Sequence, residues 1–227
     1  MSSAAQHPNT EADTEAGQAV YSPWVLRVYD FWVLALSNRL AWRCSSPRIL
    51  AHYDAHVGAR HLDVGVGSGW FLDRARFPAS PELWLLDLNA NSLRFTAERV
   101  ARYQPKSVRA DVLAPVDLPA GHFESIALNY LMHCLPGGFE SKGAAFAHLA
   151  PALAPAGVLF GSTILNVGVD HNLFGRKLVS VYNDKGIFGN ASDGLEGLRA
   201  ALERSFEIVD IEVVGTVALF SARQPKP

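Results

Sequence analysis

The sequence predicts an α/β fold: a seven-stranded, mostly parallel sheet with helices on both faces, an antiparallel C-terminal hairpin and an N-terminal helical lid. Three observations carry this expectation. From residue 60 onward, short apolar strand-like runs alternate with amphipathic helical stretches, the pattern of a parallel sheet. The stretch H-L-D-V-G-V-G-S-G-W at 61–70 ends a strand in glycines at alternate positions, which suits a turn lying directly against a ligand. The last two strand-like runs are separated only by Gly215 and Thr216, so they must run antiparallel.

Residues 1–19 are small and polar without periodic apolar positions and read as a disordered tail. Residues 20–58 read as a helical cap. Its first part, 21–42, is strongly aromatic and opens at Ser22–Pro23, a cap followed by a proline. That helix can be core, a lid over a ligand cleft, or a dimer or membrane-surface face. A second helix follows at 47–57 and stops at Gly58. Residues 59–227 form the main domain. Its strands are expected at 60–64, 82–88, 106–111, 123–129, 158–163, 206–214 and 217–223. Helices are expected at 69–76, 91–103, 139–153 and 195–205. The long connection at about 164–190 reads as a substrate-facing insertion, partly helical from 173 to 183.

The chain has 227 residues, 49% hydrophobic and 19% charged, enough for one sizeable core. A formal net charge of -2 argues against nucleic acid as a partner. Cys44 and Cys134 make neither a disulfide framework nor a metal site, so no metal is expected and the cytoplasm fits. Residues 1–19 lack the apolar core of a secretory signal, and no apolar run is long enough to cross a bilayer.

In open parallel sheets, ligands sit beyond the carboxyl ends of the strands, so the strand-end residues form a set. The first strand ends in Asp63, Gly65, Gly67 and Gly69. The second ends in Asp87, Leu88 and Asn89. Asp87 follows the glycines at about the interval where a carboxylate meets ribose hydroxyls; a helix-cap role is the alternative. The third ends in Asp111 and Val112, suited to an adenine amino group and ring face, or to a plain turn. The fourth ends in Asn129 and Tyr130. A dinucleotide fingerprint is disfavoured, because Trp70 stands where its last glycine belongs.

The acidic residue before G-x-G-x-G, the later strand-end acids and the closing hairpin together resemble the class I S-adenosylmethionine (SAM)-dependent methyltransferases. The likeness is to their Rossmann-like, small-molecule branch of quinone and natural-product enzymes, and it covers about residue 21 to the C-terminus. It implies SAM as cofactor, S-adenosylhomocysteine (SAH) as product, and a small, flat, apolar substrate methylated at O, N or C. It also implies that the N-terminal helix supplies aromatics, Tyr29 toward the cofactor and Tyr21 and Trp24 toward the substrate. Two alternatives keep the fold: a cyclase or pericyclase, and a non-catalytic SAM-binding partner subunit. His133, on the loop after the fourth strand, is the candidate general base, the alternative being a loop histidine that simply holds backbone groups. His171, Asn172, Arg176 and Tyr182 are the polar substrate candidates on the insertion. The apolar surface at 24–36 can join two copies into a homodimer.

Overall fold

The computed structural model describes residues 37–227. The tail, most of the expected lid, Tyr21, Trp24, Tyr29 and the dimer face at 24–36 lie outside the described residues. The strands are β1 (Arg60–Val64), β2 (Glu82–Asp87), β3 (Lys106–Arg109), β4 (Phe123–Asn129), β5 (Leu153–Ile164), β6 (Phe206–Val214) and β7 (Val217–Pro225). They form one sheet in the order β3-β2-β1-β4-β5-β7-β6. β1 to β5 are parallel, and β7 runs antiparallel between β5 and β6. The strand order reverses between β1 and β4, which places the ligand crevice at their carboxyl ends.

Helices α1 (Asn38–Leu40), α2 (Ser46–His56), α3 (Trp70–Arg74), α4 (Ala90–Arg99), α5 (Phe139–Lys142), α6 (Ala144–Leu149), α7 (Leu173–Asp184) and α8 (Leu195–Ser205) complete the described chain. Strand alternation divides the core into two layers. Leu62, Val64, Ile126 and Leu128 pack toward Phe146, Leu198 and Leu202 on one face. Leu83, Leu85, Ala127 and Phe160 pack toward Tyr53, Leu72 and Leu93 on the other. Each large apolar side chain fully removed from water contributes about 1.5–3 kcal/mol. Helix α8 shows the matching helical pattern, burying Leu198, Ala201, Leu202 and Ser205 at three- and four-residue intervals. Packing of these two layers, rather than helix propensity, holds the short α3 and α5 in place.

Several boundaries differ from the sequence expectation. The single helix expected at 139–153 is broken between α5 and α6. A Cβ at Gly143 would lie 2.5 Å from the Phe139 carbonyl and 2.9 Å from Ala201 Cβ, so α8 crosses there at backbone distance. β5 starts at Leu153, which pairs with Phe123 ahead of a register shift, so it is longer than the apolar run at 158–163. β3 stops at Arg109, because Asp111 turns the chain by accepting the Leu113 N–H (2.9 Å). No helix among the described residues is long and apolar enough to cross a membrane.

A third apolar cluster sits at the carboxyl end of the sheet. It joins Ala41, Trp42 and Ile49 to Val179 and Phe188 of the insertion. Asn172 caps α7 by accepting the Gly175 N–H (2.7 Å) and donates to the Leu40 carbonyl (2.6 Å). The insertion therefore docks on the segment that leads out of the expected lid. Its far end is tied down by a buried ion pair, Lys142 Nζ to Asp193 Oδ2 at 2.6 Å. Lys142 also donates to the Gly189 carbonyl (2.9 Å).

Candidate active site

A cavity of about 180 Å³ opens at the carboxyl ends of β1, β2 and β4. Its floor is the glycine turn. Gly65, Gly67 and Gly69 all have left-handed backbones, with φ of 72°, 53° and 69°. Three such residues in alternation are costly for any side chain other than glycine. Contacts add to this at two of them. A Cβ on Gly65 would meet Leu131 Cδ1 at 2.7 Å, and one on Gly69 would meet Thr96 Cγ2 at 2.7 Å. At Gly67 nothing lies within 4 Å, so the backbone there faces open space.

Two carboxylates flank the turn. Asp63 is buried (7% exposed) and accepts a hydrogen bond from the Tyr53 hydroxyl at 2.8 Å. Asp87 accepts the Asn89 N–H at 2.8 Å and the backbone N–H groups of Gly67 and Val66. It thus ties the second strand end to the glycine turn. Burial pushes its pKa up to about 6, against the pull of those three N–H groups, and the nearby Asp63 charge adds to the rise. Asn89 caps α4, its side chain accepting from Asn91 and Ser92 N–H, and still lines the cavity. The helix cap at this strand end is therefore Asn89, and Asp87 lines the cavity beside it.

The opposite wall is Asn129, Tyr130, Leu131 and Cys134, with Trp70 and Phe71 at the side. Tyr130 steps off β4 with φ of 56°, a strained turn for a residue with a side chain. Its hydroxyl donates to Asn38 Oδ1 (2.8 Å), which fastens α1 to the wall. Ser162 donates to Asn129 Oδ1 (2.9 Å), while Asn129 Nδ2 is buried without a protein partner. A buried donor of this kind beside a cavity suits an acceptor atom on a bound molecule.

The structure thus brings Asp63, Gly65, Gly67, Gly69, Asp87, Asn89, Asn129 and Tyr130 to one cavity. Others stand apart. Asp111 is exposed and occupied as a turn residue. Val112 is in the core, and its carbonyl meets the His148 ring (3.0 Å). Leu88 offers its carbonyl to Arg109 (3.1 Å). Arg176 is exposed on α7. His171 packs edge-on to Trp42, and Tyr182 edge-on to Phe188.

The candidate base also lies elsewhere than expected. His133 is 1% exposed and sits one layer behind the wall, packed between Tyr130 and Phe188. Its Nδ1 accepts the Ile164 N–H (3.3 Å). Burial, assisted by the Lys142 charge, pushes its pKa down to about 3. It is a neutral packing residue, because the Leu131–Cys134 turn points Leu131 and Cys134, not the imidazole, at the cavity. Sequence reasoning also passed over Ser68, Trp70, Phe71, Ser92, Leu131 and Cys134 as cavity residues. The usable signal was spacing: Ser92 lies one helical turn beyond Asn89, and Cys134 one turn beyond Leu131. Burial pushes the Cys134 thiol up to about 12, which makes it an inert wall.

Comparison with known proteins identifies the family. The family described as "Methyltransferase domain" matches residues 62–161. A physcion biosynthesis cluster O-methyltransferase of Aspergillus chevalieri is 37% identical over 94% of this chain and 97% of its own length. A demethylluteothin O-methyltransferase of Streptomyces thioluteus is 40% identical over 91% of this chain and 90% of its own. A solved Haemonchus contortus phosphoethanolamine N-methyltransferase 2 in complex with S-adenosyl-L-methionine superposes with a TM-score of 0.69. It covers 96% of this chain and 61% of that one at 13% identity, a likeness of fold alone.

Proposed function

This chain belongs to the class I SAM-dependent methyltransferases, and from that premise we propose that it methylates an oxygen of a small, flat, largely apolar secondary metabolite. The observation that carries the proposal is the two-sided cavity. One side holds the glycine turn and two carboxylates, and the other is apolar and aromatic. That the Aspergillus and Streptomyces relatives are O-methyltransferases supports oxygen as the acceptor.

The residues present fit SAM. Gly67 leaves room for its amino-acid arm against the backbone, and Asp63 suits the cationic amino group. Asp87, with acceptor capacity in both oxygens, suits the ribose hydroxyls. Asn129 Nδ2 suits an acceptor atom on the ligand. When bound, SAM supplies a methyl group on a positively charged sulfur.

The protein's own contribution is positioning. The Tyr130–Leu131 wall and Phe71 exclude water and hold the acceptor ring, and alignment of two reactants is worth several kcal/mol. The acceptor is a phenol or enol, whose hydroxyl ionises readily and needs little help in losing its proton. Trp42 and Phe188 pack behind Phe71 and Tyr130 and back the acceptor side. Two unpaired cysteines, Cys44 and Cys134, support a reducing, cytoplasmic setting.

The test is to supply methyl-labelled SAM to the full chain with a panel of phenols, quinones, heteroaromatic amines, RNA and peptides. Label in an aryl or enol methyl ether is expected. Label confined to nitrogen, RNA or peptide would overturn the assignment.

A further inference from the structure

Behind the cavity runs a line of polar side chains that no ligand in it can touch. Ser125 on β4 accepts the Gly58 N–H at 2.8 Å. Ser125 Oγ and His61 Nδ1 are 2.7 Å apart, and His61 Nε2 and the Tyr53 oxygen are also 2.7 Å apart. The Tyr53 hydroxyl then donates to Asp63 Oδ2 at 2.8 Å. Tyr53, His61 and Ser125 are each 0% exposed.

The partners fix the polarity of the whole line. Tyr53 has one proton and gives it to Asp63, so its oxygen must accept. A neutral His61 therefore carries its proton on Nε2, and its Nδ1 accepts from Ser125. Ser125 in turn takes the Gly58 N–H on its lone pair. Every polar atom of three buried side chains is satisfied in one direction, from the amino end of β1 to its carboxyl end. Phe71 lies parallel to the Tyr53 ring (6.3 Å, 9°) and Phe160 meets it edge-on (5.2 Å, 85°), which locks the hydroxyl's aim. An apolar residue at position 61 would suit this strand interior better unless the chain had a task. Burial first, and then the Asp63 charge, hold the Tyr53 pKa well above the ordinary range, so its proton stays in place.

We propose that Tyr53, His61 and Ser125 are positioning residues for the cofactor: they hold Asp63 Oδ2 against the protein and leave the other oxygen to the amino group of the ligand's amino-acid arm. The Tyr53 hydroxyl donates to Asp63 Oδ2 at 2.8 Å, and His61 Nε2 stands 3.8 Å from the same oxygen. The proposal rests on the reading of Asp63 given above.

It is tested by calorimetry on the full chain with SAM, SAH and 5′-methylthioadenosine, which lacks the amino-acid arm. Tyr53→Phe is expected to weaken SAM and SAH by about tenfold and to leave methylthioadenosine within about twofold. Asp63→Asn is expected to give the same selective loss, and the double variant no further loss. Equal weakening of all three compounds by Tyr53→Phe overturns the proposal, since a merely structural role does that. A selective loss in Asp63→Asn without one in Tyr53→Phe also overturns it, and leaves the reading of Asp63 intact. If Asp63→Asn costs nothing, both fall. Independently of whether Tyr53→Phe folds, ¹⁵N spectra of the unaltered protein are expected to show His61 protonated on Nε2, with a shift on adding SAH but not methylthioadenosine. The opposite tautomer refutes the proposal.

Discussion

Asp87 offers a sharp quantitative test, because its burial and its proposed task oppose each other. Its pKa is raised from 3.8 to about 6 by desolvation, which holds about 3 kcal/mol against the ionised form. The folded apoprotein therefore binds a proton more readily than the unfolded chain. Stability contributed by this group is greatest at low pH and is lost as pH rises between 3.8 and about 6. Ribose hydroxyls reverse the balance, since they donate to the charged carboxylate. SAH affinity is then expected to rise as pH passes through about 6 and to level off above 7. At pH 5 about one molecule in eleven is ionised, so the dissociation constant is expected to be about tenfold higher than at pH 7. Binding at pH 6 is expected to release about half a proton, visible by calorimetry in buffers of different ionisation enthalpy. Asp87→Asn removes a charge-assisted interaction worth about 1.5–3 kcal/mol, about 10- to 150-fold in affinity, and should flatten the pH profile. An unaltered protein whose SAH affinity is level from pH 5 to 7.5, or an Asn variant that keeps both affinity and pH profile, would refute this account.

Gly67→Ala should cost only the left-handed strain, about 1–2 kcal/mol, or about 2–8 °C in Tm. Gly69→Ala carries that strain plus the overlap with Thr96, a further 1–3 kcal/mol or so; a thermal scan that ranks the two the other way contradicts the packing described. Lys142→Met strands the buried Asp193 carboxylate, which burial already pushes up to about 6, at a cost of about 3–5 kcal/mol. Adding Asp193→Leu should recover most of that loss in urea unfolding, and failure to recover would mean that the pair is not the clamp on the insertion.

The sequence by itself determined the sheet and half of the cavity. β1, β4, α8 and β6 have the expected ends, because the continuous buried runs of the central strands and the period-3.6 burial of α8 are written locally. Asp63, Asp87 and the three glycines are also local facts, each sitting where its own strand stops. What the tertiary structure decided depends on which element crosses which. His133 and Cys134 are adjacent in the chain, yet the turn after β4 sends one behind the wall and the other onto it. Gly143 ends a helix that its neighbours would continue, because α8 passes at backbone distance. Tyr53, His61 and Ser125 come from a helix and two strands, and nothing in their spacing says that they meet. Local pattern sets which face of an element is buried; only packing sets which partner that face meets, and the buried hydrogen bonds here belong to the partners.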